Sequence, residues 1–226
     1  MKDMTRSTLL KLVGATLLMT LVISAIMVPI PWLGGVDSVE KAKIVTLFNV
    51  SVALSALVFS VVMVMMTYAI WKYRAKPGDE SDGEPIHGNT RLEIIWTAIP
   101  TVMVLGLAVA STIVLNDIEA TAEDRPQMEV KATAQQFAWR FDYPEQGVTS
   151  TELHVVSGTQ LQLELNALDV IHSFWVPEWG IKRDLVPGSA LPGQDEIDNT
   201  VSVTPDEPGT YEVVCSELCG WGHATM

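Results

Sequence analysis

The chain has 226 residues, 48% of them hydrophobic, with two cysteines and a formal net charge of −13. That length admits one medium-sized soluble domain plus a membrane anchor, and the acidity leaves no basic face for a nucleic acid. Charge is divided unevenly: residues 1–116 carry 9 basic and 8 acidic side chains, whereas residues 117–226 carry 5 basic and 19 acidic. An acidic outer domain would speed encounter with a basic partner, although solubility or adaptation to a salty or acidic habitat accounts for it equally well.

Lys2, Arg6 and Lys11 precede an apolar run over residues 12–28, which Pro29, Pro31 and the Gly34-Gly35 pair bring to an end. Seventeen residues are marginal for a span, so residues 1–35 read as an export signal, with an extra transmembrane helix as the alternative. Uncharged stretches of 28 residues between Lys43 and Lys72 and of 23 between Glu93 and Asp117 are each long enough to cross a hydrocarbon core. They predict a helix hairpin over 44–116, with helices at 44–71 and 94–116 and Pro100 in the first turns of the second. Lys72, Arg74, Lys76 and Arg91 place the connecting loop, 72–93, in the cytoplasm and the chain beyond Asp117 outside.

Past an acidic linker at 116–126, apolar residues alternate with polar ones over 128–132, 161–165, 201–203 and 211–213, the period of half-buried strands. Pro144 to Gly147, Ser157-Gly158, Pro187-Gly188, Pro192-Gly193 and Pro208-Gly209 punctuate them as turns. The pattern predicts an all-β Greek-key sandwich over 117–226.

The run Cys215-Ser216-Glu217-Leu218-Cys219-Gly220-Trp221-Gly222-His223-Ala224-Thr225-Met226 puts two thiolates, an imidazole and a thioether within reach of one point. His172, in Asp169-Val170-Ile171-His172, adds a second imidazole from upstream. Thiolate and thioether are soft donors that favour copper, and a structural zinc site would not call on methionine. Five donors exceed what one trigonal copper with a weak axial ligand uses, which points to two coppers bridged by both sulfurs, with no position left open for substrate. A disulfide between the two cysteines is the plainer alternative in an exported domain. Asp169 is placed to accept a hydrogen bond that orients the histidine loop, or it is simply solvated. His87 and His154 lie outside the pattern.

These motifs, with Leu92-Glu93-Ile94-Ile95-Trp96 at a helix start and Gly180-Ile181-Lys182-Arg183-Asp184 after the histidine, resemble the CuA-containing subunit II of cytochrome c oxidase over most of the chain. The resemblance implies a membrane-anchored, cupredoxin-like domain whose binuclear copper is held by His172, Cys215, Cys219, His223, Met226 and the carbonyl of Glu217. It implies electrons accepted from a cytochrome c and passed to haem in subunit I of a multi-subunit oxidase, beside subunit III, in a prokaryotic plasma membrane, with proton pumping by the complex and no catalysis by this chain alone. Phe137, Trp139 and Trp221 are the candidates for electron acceptance. Where the family usually has Trp-Tyr-Trp, this chain has Phe137-Ala138-Trp139. Glu93 matches a proton-uptake glutamate, although a carboxylate at a helix start is favourable through the dipole alone. The Glu217 carboxylate matches a position that shares magnesium with subunit I. Family members continue into a closing strand, so a longer chain beyond Met226 is expected. The same ligands would serve the CuA subunit of a membrane nitric-oxide reductase, or a membrane-anchored copper chaperone.

Overall fold

The computed structural model describes residues 5–75, 77–78, 87–120, 126–187 and 199–226. Two compact units divide the chain: Met1–Pro31 with Leu47–Ser111, and Trp32–Thr46 with Thr112–Met226.

Among the described residues, three helices, not the two of the predicted hairpin, are long and apolar enough to cross a membrane: α1 (Arg6–Met27), α2 (Val39–Tyr73) and α3 (Thr90–Glu119). The apolar run of residues 12–28 understates α1, because Arg6 and Lys11 belong to its first turns. Thr5 caps it by accepting a hydrogen bond from the Thr8 N–H. A long basic side chain near a helix end can extend to the interface, so charge does not shorten the span. At the start of α3, Asn89 Oδ1 accepts from the Leu92 N–H while Glu93 Oε1 accepts from the Asn89 N–H, a reciprocal cap. This start lies four residues before the predicted 94, so Pro100 falls in the helix interior and removes a backbone donor there. Part of the predicted loop 72–93 lies outside the described residues.

The second unit holds a five-stranded sheet in the order β3-β2-β1-β4-β7 and a three-stranded sheet in the order β6-β5-β8. The first is built from β1 (Gln127–Gln135), β2 (Ala138–Tyr143), β3 (Val148–Ser150), β4 (Gln160–Ala167) and β7 (Thr200–Val203). The second has β5 (His172–Val176), β6 (Ile181–Leu185) and β8 (Val214–Cys215). Alternation in β1 and β4 turns Val130, Ala132, Leu161, Leu163 and Leu165 inward. They share one apolar core with Phe141 of β2 and with Phe174, Val176 and Leu185 of the smaller sheet. Sandwiching therefore follows from strand periodicity.

The Greek-key expectation, a motif of antiparallel strands, needs correction. β1 and β4 run parallel, Val130 opposite Leu163 and Ala132 opposite Leu165, so the larger sheet is mixed. Residues 211–213 do not form the predicted strand. The Tyr211 ring packs edge-on to Trp179 at 5.5 Å and its hydroxyl donates to the Glu207 carbonyl, so side-chain contacts anchor this segment. The predicted turn at Pro192-Gly193 lies outside the described residues.

Trp32–Thr46, upstream of the boundary drawn at 117, is stitched into the β-domain. Ser38 Oγ accepts from the Lys41 N–H, capping α2, and donates to the Trp179 carbonyl. The Glu40 carboxylate accepts from both the backbone N–H and the hydroxyl of Thr204, at 2.8 and 3.0 Å. The Lys41 ammonium donates to the carbonyls of Leu33 and Pro177. Glu40, Lys41 and Thr204 are all buried, so each bond replaces water that cannot return. Replacing Glu40 by Ala leaves two buried Thr204 donors unpaired and is expected to cost about 1–3 kcal/mol. Urea unfolding of the detergent-solubilised chain, followed by fluorescence of its tryptophans, measures the loss.

Candidate metal centre

His172 opens β5, and its fully buried side chain lies next to the strand that carries the first cysteine: Phe174 of β5 pairs with Cys215 of β8. The Ser216 N–H donates to the Ser173 carbonyl, extending that pairing to the start of the ligand loop. The loop then folds back, because the Cys215 N–H donates to the Met226 carbonyl at 3.0 Å. Between them, a 3-10 turn at His223–Thr225 directs the second imidazole inward.

Four side chains converge. Cys215 Sγ lies 3.8 Å from His172 Nδ1 and 3.9 Å from Cys219 Sγ, and Cys219 Sγ lies 3.6 Å from His223 Nδ1. Both cysteines are free and buried, with sulfurs far beyond the disulfide distance of about 2 Å. Metal–thiolate bonds of about 2.3 Å and metal–imidazole bonds of about 2.0 Å let one ion touch two sulfurs up to about 4.6 Å apart, or a sulfur and a nitrogen up to about 4.3 Å apart. All three separations fall within those limits, so the residues fit a metal, and the soft sulfur donors fit copper. Each cysteine has its own imidazole beside it. The Glu217 carbonyl lies 3.3 Å from Cys215 Sγ, on the side of the donors. The Glu217 carboxylate faces Lys182 Nζ at 3.3 Å. Met226 is fixed beside Cys215 by its backbone and packs against the core.

Asp169, which the sequence left as either orienting or solvated, orients the site. Its Oδ1 lies 2.8 Å from His172 Nε2, which leaves Nδ1 turned toward Cys215, and Oδ1 also accepts from the Val170 N–H. Its Oδ2 accepts from the Gln136 N–H at 2.7 Å. Burial alone would raise the carboxyl, but the hydrogen bonds from His172, Gln136 and Val170 outweigh it and hold the pKa at about 2. Burial pushes the Cys219 thiol up, and the neighbouring Cys215 adds to the effect. In the metal-free protein Cys219 therefore keeps its proton, and binding a metal must displace it.

The three candidates for electron acceptance separate clearly. Trp221 is fully exposed on the ligand loop, between Cys219 and His223. The Trp139 ring packs edge-on to Phe174 at 5.6 Å and 6.5 Å from the His172 ring, inside the domain. Phe137 is 39% exposed and lies against the ligand-loop glycines. Glu93 is the capping carboxylate of α3. Gln136 escaped sequence analysis; its only signal was its place beside Phe137 in a segment already noted for its aromatics.

A β-sandwich joined to apolar helices and holding a buried thiol–imidazole cluster defines the class: a membrane protein with a candidate metal site in an extramembrane domain. Residues 36–114 match the family described as cytochrome c oxidase subunit II, transmembrane domain, and residues 148–226 match its periplasmic domain. The chain is 40% identical over 182 residues to cytochrome c oxidase subunit 2 of Alkalihalophilus pseudofirmus, covering 78% of this chain and 51% of that one. It is 31% identical over 236 residues to the Synechocystis subunit 2, covering 84% of this chain and 68% of that one. The crystal structure of the periplasmic domain of subunit II of cytochrome oxidase from Bradyrhizobium japonicum is 26% identical, covers 48% of this chain and 82% of that one, and superposes with a TM-score of 0.39. The chain belongs to the cytochrome c oxidase subunit II family, and it spans about half the length of the Alkalihalophilus relative.

Replacing Asp169 by Asn removes the charge and leaves one acceptor oxygen for three donors. Metal affinity is expected to fall by about 10–100-fold, as for other groups that orient a ligand from behind. Chelator competition against Cu(I) measures the change.

Proposed function

We propose that this chain is the electron-accepting subunit of a haem–copper oxygen reductase in a prokaryotic plasma membrane, with its β-domain on the periplasmic side. It takes electrons singly from a cytochrome c-type donor and passes them to haem in subunit I, alongside subunit III. The observation that carries the reading is the pairing of each buried thiol with its own imidazole across a 3.9 Å sulfur–sulfur gap. His172, Cys215, Cys219, His223, Met226 and the Glu217 carbonyl would hold two coppers. Such a centre supplies one-electron redox chemistry shared over both ions.

The residues of the chain do the rest. Asp169 keeps His172 in the tautomer that presents Nδ1. Burial of Cys215, Cys219 and His172 excludes water, which limits the solvent reorganisation that accompanies a change of charge. Trp221 offers an exposed aromatic surface next to two ligands, of the kind that interfaces favour, and is our choice for electron acceptance. The acidic outer domain suits a basic donor. The half-exposed Glu217 carboxylate, paired with Lys182 Nζ at 3.3 Å, is the group that would meet a magnesium ion shared with subunit I. Glu93 caps α3 through Oε1, so a proton-uptake role would fall to its other carboxylate oxygen.

Copper analysis and electron paramagnetic resonance of the purified full-length chain test the reading. Two coppers per chain sharing one unpaired electron are expected, and a single copper with four-line hyperfine structure would overturn it. Replacing Cys215 by Ser should abolish the shared-electron signal. In the assembled oxidase, Trp221→Ala should leave copper content intact and slow cytochrome oxidation by at least about tenfold, the equivalent of about 1.4 kcal/mol in the barrier. Stopped-flow absorbance of the cytochrome measures that rate.

A further inference from the structure

The turn between β1 and β2 reaches both segments that carry the metal ligands, although none of its residues is a ligand. The Gln136 main-chain N–H donates to Asp169 Oδ2 at 2.7 Å, and Asp169 in turn contacts His172 Nε2. The Gln136 side-chain amide donates to the Cys219 carbonyl. One residue thus ties the β4–β5 loop, which sets His172, to the loop that sets Cys219 and His223.

Two glycines on the ligand loop make room for this contact. A Cβ on Gly220 would lie 2.8 Å from the Gln136 amide nitrogen, and one on Gly222 would lie 2.5 Å from the Phe137 ring. Gly220 also has a φ of 137°, which side chains rarely adopt. The Gln136-Phe137 pair therefore sits in a groove that only glycine leaves open, and Trp221, between the two glycines, is left fully exposed.

We propose that Gln136 is a positioning residue of the metal centre, fixing the Cys219–Cys215 separation through the Cys219 peptide and the His172 ring through Asp169. The inference deepens the copper reading and rests on it. A carbonyl held by a side-chain amide fixes the peptide plane that follows Cys219, and with it the direction of the thiolate. Release of that carbonyl lets the loop carrying Cys219 and His223 move while His172 stays in place.

The test compares the purified full-length chain with Gln136→Met, which keeps the volume and the main-chain N–H but loses the amide donor, and with Gln136→Glu, which places an acceptor against the Cys219 carbonyl. Wild-type chain binding two coppers with a shared electron secures the underlying reading; failure there overturns that reading and leaves the brace to be judged on the metal-free protein. In copper-loaded chain, Gln136→Met should release copper to a chelator about tenfold faster, with an altered hyperfine pattern and a shifted reduction potential, and Gln136→Glu should do more. In metal-free chain, alkylation of Cys219, identified by peptide mapping, should speed up by a similar factor while thermal unfolding shifts little. Unchanged copper release, spectrum and alkylation in Gln136→Met would overturn the proposal. An equal loss of stability and of copper in both variants would also overturn it, by showing general destabilisation.

Discussion

One backbone hydrogen bond, from the Cys215 N–H to the Met226 carbonyl, closes the ligand segment into a loop and so turns a linear motif into a site. Cys215 stands at the end of β8 and is held by pairing with β5, so the sheet fixes the first sulfur. The closing bond carries that rigidity to the far end of the loop. Cys219 and His223 are then confined between two fixed points.

Burying these ligand side chains together is costly. Two thiols and an imidazole are buried beside one another, and Asp169 spends its hydrogen-bonding capacity on three donors. Buried polar groups are tolerated when satisfied, and here the satisfaction comes from outside the ligand set: Asp169 behind His172, the Gln136 amide on the Cys219 carbonyl, the Ser173 carbonyl beneath Ser216. The site is therefore preorganised, and a metal entering it has little conformational entropy left to remove.

The first turn of α2 belongs to the same logic at the far end of β5. Ser38, Glu40 and Lys41 bind the loop at Pro177–Trp179 and the segment around Thr204. The first of these follows β5 directly, so the strand that begins with His172 ends in a turn fixed to α2. A charged helix start that would be poor in a bilayer is thus satisfied by the extramembrane domain.

The sequence by itself marked the candidate ligands and determined the second and third apolar helices and the strands at 128–132, 161–165 and 201–203, because each is written in local spacing or period. It understated the length of α1, whose first turns carry basic residues, and misread the segment at 211–213, whose alternation serves side-chain packing and not a ladder. Only the tertiary structure decided the parallel pairing of β1 with β4, the bond from Glu40 to Thr204 and the brace from Gln136 to Cys219. The physical reason is that periodicity reports which face of an element is buried, whereas these contacts join residues far apart in the chain. Which polar group meets which is settled when the sheets close on their shared core.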